Sequence, residues 1–165
     1  MSQINRFQKE LERESAITRK MLSIVPNDKY NWQPHPKSMT IRSLATHIAE
    51  LPSWIDMVLN TTELDFAVAP YTPADVNDTK SLVDYFEKNL ETGRKALTAN
   101  KEERLQDIWT LRNGEQIYSA EPKEEVIRMT LNQITHHRAQ LGVFLRLLDV
   151  PIPGSYGPSA DDPGF

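Results

Sequence analysis

The stretch TLNQITHHRAQLGVFLRLL, residues 130–148, constrains the fold of this chain more than any other. With the residues just before it, it places Ile127, Thr130, Ile134, His137, Leu141, Phe144 and Leu148 at alternating steps of three and four. That spacing aligns side chains along one face of an α-helix, whereas a strand would bury every second residue. The predicted helix starts after Pro122 and runs to about residue 148. An apolar seam of this length must be covered by other elements, so the rest of the chain has to supply them.

Three further segments have the right pattern. The first, about residues 4–25, carries Ile4, Phe7, Leu11, Ala16, Ile17, Met21 and Leu22 and ends before Pro26. The loop PNDKYNWQPHPKS follows, and its prolines exclude regular structure. A second helix, capped by Ser38 or Thr40, buries Ile41, Leu44, Ile48, Leu51, Ile55 and Val58, with Pro52 expected to kink it. After the proline-spotted connection ELDFAVAPYTPADVND comes a third helix over about residues 79–98, capped by Asp78 or Thr79. Leu82, Tyr85, Phe86, Leu90 and Leu97 form its buried face, and the charges of EKNLETGRK its solvated one.

Between the third and fourth helices, Asn113-Gly114 separates Trp109/Leu111 from Ile117/Tyr118, which predicts a short β-hairpin with positive φ at both turn residues. A lone hairpin is marginal in water, so it must lean on a helix. The expected fold class is therefore all-α, a four-helix bundle with a short hairpin before the last helix. Residues 1–150 form one bundle domain, and 151–165, rich in Pro, Gly and Asp, an irregular tail. A length of 165 residues with 39% hydrophobic and 25% charged residues suits one globular unit.

Composition also excludes. A net charge of −4 with no run of basic residues argues against nucleic acid or an anionic membrane surface as partner. No apolar stretch approaches the roughly 20 residues that cross a bilayer, and the polar start MSQINRFQKELERES has no signal-peptide core. A cytoplasmic location is the default. The absence of cysteine removes disulfides, thiolate ligands and a thiol nucleophile from the protein itself.

Against this background the chain places two of its 4 histidines side by side on the last helix. His136 and His137 point about 100° apart and do not serve one small site together. His137 lies on the seam, with Gln133 one turn earlier on the same face. If the second and fourth helices are neighbours, His47, Gln133 and His137 converge in the interior, as bundle metal sites do. Imidazole suits Zn, Ni, Cu or Fe, an open coordination position would take water or substrate, and Glu50 would be an outer acceptor or a general base. The plainer reading makes both histidines hydrogen-bonded core residues. Arg138 and Gln140 would bridge neighbouring elements, with Arg138 in a surface or interface ion pair. Trp54 is core or the aromatic wall of a pocket, and His35 is solvated.

The segments LATHIAELPSW and NQITHHRAQLGVFLRLLDVPIPGSYGPSADD, with the hairpin WTLRNGEQI, resemble the DinB family across nearly the whole chain. The resemblance implies an up-down-down-up bundle, commonly a homodimer, with a divalent metal (Ni, Zn, Fe or Mn) held by three histidines. One family ligand falls on His47. The second member of a His-x-x-x-His pair falls on His137, and the first falls on position 133, where this chain has Gln133. The family includes metal-dependent transferases of small cellular thiols, and its name derives from DNA-damage-inducible expression. The implied function is a metal-dependent thiol S-transferase or hydrolase acting on a small electrophilic substrate, with His47, Gln133 and His137 at the metal and a small thiol as co-substrate. The rival expectation is a non-catalytic bundle that binds a small ligand or a protein through a degenerate metal site.

Overall fold

Each of the four apolar-periodic segments is a helix in the computed structural model, which describes residues 2–163. They are α1 (Gln3–Leu22), α2 (Ile41–Asn60), α3 (Thr79–Ala96) and α4 (Lys123–Leu147). Three start on caps that satisfy otherwise orphaned amides: Ser2 Oγ accepts from Asn5 N–H, Thr40 Oγ1 from Ser43 N–H, and Asp78 exchanges hydrogen bonds with Ser81 in a capping box. The helix α2 continues through Pro52 to Asn60. It packs against α3 and α4, and α1 packs against the same two helices. The six apolar positions expected on α2 are all buried in one connected core.

The stripe on α1 differs from expectation. Ala16 is exposed and Ile17 half-buried, while Glu14, Ser15 and Thr18 are buried in their place. The reason lies on α4. Arg138, expected in a surface or interface pair, is instead buried, with only 3% of its side chain exposed. Its guanidinium reaches Glu14 Oε2 at 2.7 Å, Thr18 Oγ1 at 2.9 Å and the Glu14 carbonyl at 3.2 Å. A buried guanidinium requires polar partners, so α1 turns a polar stripe toward it.

The expected hairpin forms as β2 (Ile108–Asn113) and β3 (Gln116–Pro122), but it belongs to a three-stranded sheet. β1 (Glu63–Asp65), within the connection expected to be irregular, pairs parallel with β2. Asp65 secures it by accepting from the backbone of Gly114 and Ala67, each at 2.9 Å. The turn is also one residue later than expected. Asn113 pairs with Gln116, leaving Gly114-Glu115 as the loop, and only Gly114 needs positive φ, at 59°. Glycine at the first central position suits a type II′ turn. Trp109, 1% exposed, donates from Nε1 to Thr61 Oγ1 at 2.9 Å and so fastens the sheet to the end of α2. Among the described residues, no helix is long and apolar enough to cross a membrane.

Candidate functional site

His47 stands on α2 and His137 on α4, and because these helices pack together the two rings meet edge to face with centroids 4.9 Å apart. Each ring is oriented from behind. His47 Nδ1 lies 2.6 Å from Glu50 Oε1, one turn along the same helix. His137 Nδ1 lies 3.0 Å from Gln140 Oε1. Carboxylate and amide oxygens only accept, so each Nδ1 carries the proton and, in the neutral ring, Nε2 holds the free lone pair. Burial lowers the pKa of His137, and the nearby His47 and His136 add to the effect against the opposing hydrogen bond from Gln140. The protein thus favours a neutral imidazole at this position.

Glu50 is the hub behind the rings. Its side chain is 9% exposed, and the same Oε1 also accepts from Tyr71 OH at 2.9 Å. Burial and the Glu50 carboxylate raise the Tyr71 pKa far above its ordinary value, so the phenol stays protonated and donates. Tyr71 belongs to the 61–78 connection, and that hydrogen bond ties the connection to α2 beside the cavity. Trp54, two turns after His47 on α2, sets its ring 6.1 Å from the His47 ring. With Phe66 and Tyr71 it walls a cavity of about 700 Å³ into which both imidazoles open.

The structure brings His47 and His137 together and leaves the other histidines out. The ring of His136 touches that of His137, with centroids 4.9 Å apart, yet it is exposed and does not line the cavity. His35 is exposed in the proline-rich loop. Gln133 is half-buried and is likewise not among the cavity's lining residues. Helical periodicity could not single out Phe66 and Tyr71, because both lie in the connection between α2 and α3. The available signal was two aromatic residues in a proline-spotted loop, since loops carry function when a rigid scaffold holds them.

The family model for the DinB family matches residues 1–163. No curated protein matches the sequence significantly. Among solved structures, a DinB-like protein from Bacillus cereus superposes with a TM-score of 0.66 at 21% identity, covering 94% of this chain and 100% of that one. A DinB-like protein from Bacillus subtilis gives 0.67 at 15% identity, covering 91% and 96%. A mycothiol-dependent maleylpyruvate isomerase gives 0.61 at 14% identity, covering 84% of this chain and 60% of its own. At these identities the structures establish a shared fold and nothing finer. The match of the family model over almost the full length adds descent to that likeness: the chain belongs to the DinB family.

Proposed function

We propose that this protein is a metal-dependent enzyme of small-molecule thiol chemistry, an S-transferase or hydrolase acting on a small electrophile in the cavity beside His47 and His137. The observation that carries the reading is the imidazole pair, 4.9 Å apart, opening on that cavity with each Nδ1 occupied by an acceptor. Ligating histidines are held in this way, with the second nitrogen fixed so that Nε2 is presented to the ion. His47 and His137 therefore fit a divalent metal, and Gln133 is the proposed third donor through its amide oxygen. That oxygen is harder and weaker than the imidazole of the family pattern. When bound, the ion supplies positive charge that favours the thiolate or hydroxide form of a nucleophile.

The chain's own residues supply the rest. Glu50 holds the His47 ring, Tyr71 donates to Glu50, and the aromatic wall offers apolar surface to the electrophile. With no cysteine in the chain, the thiol has to come from a co-substrate. The kinship of fold with a mycothiol-dependent enzyme supports that choice. The proposal also takes the helices in up-down-down-up order, in a homodimer. Support for the order comes from the ends of α2 and α3. Arg42, at the start of α2, donates to the Val76 carbonyl just before α3, and Lys101, just after α3, donates to Asn60 at the end of α2.

One observation favours the rival reading, a bundle that binds without catalysis. Among the described residues no group of three or more His, Cys, Asp or Glu side chains is placed to hold a metal. Calorimetric titration of chelator-treated protein with Zn²⁺ and Ni²⁺ separates the two. Binding that disappears in His137→Ala and tightens about tenfold or more in Gln133→His supports the metal site. Activity with small thiols in the metal-loaded wild type then supports the enzyme. No heat of binding in wild type, with tight but inactive binding in Gln133→His, establishes the rival.

A further inference from the structure

Granted the proposal that the substrate occupies the cavity beside His47 and His137, the cavity's charge balance specifies what kind of molecule that substrate is. Trp54 comes from α2, and Phe66 and Tyr71 from the connection that follows it, so three aromatic side chains from two parts of the chain line one cavity. Met39 and Pro73 add apolar surface. The volume, about 700 Å³, falls within the roughly 300–1,000 Å³ typical of small-molecule sites. Among the described residues, no Lys, Arg, Asp or Glu side chain lines it.

Two places near the cavity could still have answered a charged ligand, and both are already engaged. An anion would turn to the start of α2, where Thr40 and Ser43 reach the lining and helix amides accumulate positive charge. Those amides have protein acceptors: Ile41 N–H donates to the Trp32 carbonyl at 2.9 Å, Arg42 N–H to the Tyr30 carbonyl at 2.8 Å, and Ser43 N–H to Thr40 Oγ1 at 3.1 Å. The Arg42 guanidinium is committed as well, donating to the Val76 carbonyl at 2.6 Å and to Asn77, and lying 5.5 Å from the centre of the Tyr30 ring. A cation would turn to Glu50, whose buried carboxylate already accepts from His47 and Tyr71. In the metal-free cavity a ligand carrying either charge would lose its hydration and gain no counter-ion from the chain, which disfavours it.

We infer that the cavity takes an electrophile whose body is an uncharged, flat aromatic ring, set against the Trp54, Phe66 and Tyr71 wall with the reactive end toward His47 and His137. Stacking and edge contacts with the wall supply the affinity, and the hydroxyl of Ser38 serves a neutral polar substituent.

The test compares three probes that share one ring system and differ in charge: 2-naphthol, 2-naphthoate and 2-naphthyltrimethylammonium. Their binding to metal-free protein at neutral pH is followed by ligand-observed NMR. The naphthol is expected to bind tightest, with each charged analogue about tenfold weaker or more. Phe66→Ala, in the connection and outside the helical core, weakens the naphthol several-fold with an unchanged circular dichroism spectrum. Met39→Arg, at a position 39% exposed, installs the missing cation and reverses the preference toward the naphthoate. Equal or better binding of the naphthoate or the ammonium probe by wild type overturns the inference. So does an absence of any binding, or naphthol affinity indifferent to Phe66→Ala. Metal titration of the same samples keeps the two proposals apart. Metal binding without the naphthol preference sinks this inference alone, and the naphthol preference without metal binding sinks the metal reading alone.

Discussion

At the scale of single residues, the site is a chain of hydrogen bonds with one imidazole at its edge that resists protonation. Burial holds the His137 pKa below its ordinary value of 6.5, so the unfolded chain takes up that proton at a higher pH than the folded protein does. Between the two values the unfolded state binds more protons, and stability falls as pH is lowered through about 6.5 until the folded ring is protonated too. Urea midpoints of metal-free protein, measured at about pH 7.5 and about pH 5.5, should show this loss, and His137→Gln should remove part of the slope. An identical slope in the variant would mean that His137 is not the responsible group. The identity of this histidine was legible from its place on the α4 seam. Its partner Gln140 was not, because by pattern it is a surface glutamine; Glu50 was legible as an outer acceptor one turn from His47, but Tyr71 was not, since a proline-spotted loop separates it from Glu50. Arg138 bridges neighbouring elements as expected, but buried and not at the surface: charge predicts exposure unless a buried partner exists, and Glu14 is far away in sequence.

Among the elements, α2 and α3 approach each other closely at Pro52 and Gly93. A Cβ built on Gly93 would lie 2.3 Å from the Pro52 carbonyl oxygen, a backbone atom that cannot move aside alone. Two effects therefore oppose each other in Gly93→Ala. Helix propensity favours alanine by about 1 kcal/mol. Forcing the helices apart in a packed core costs about 1–3 kcal/mol or more. At so short a distance the steric cost wins, and the variant should have a lower denaturation midpoint than wild type; a midpoint equal or higher would show that the pair separates easily. The helices themselves were readable from spacing and caps. The third strand was not, since three residues with no alternating pattern become β1 only because β2 offers a free edge beside them.

For the molecule as a whole, the tail matters more than its composition suggests. Tyr156 donates to Glu14 Oε2 at 2.7 Å and accepts from Arg138 at 3.2 Å, so residues from α1, α4 and the tail share one polar centre, none of which lines the aromatic cavity. Arg146 and Asp161 pair nearby. Removing residues 151–165 takes a hydrogen bond from a buried carboxylate and should cost about 1–3 kcal/mol, read as a fall of several degrees in Tm. An unchanged Tm would show the tail to be ornamental. The sequence alone determined the number and extent of the main helices, the hairpin and the candidate histidines, because periodicity, caps and turn residues act over a few positions. Only the tertiary structure decided which polar groups meet: the burial of Arg138 with Glu14, the third strand, the Tyr71–Glu50–His47 chain and the uncharged aromatic cavity. Those depend on contacts between residues far apart in the chain, and local pattern carries no record of which distant partner will satisfy a buried charge.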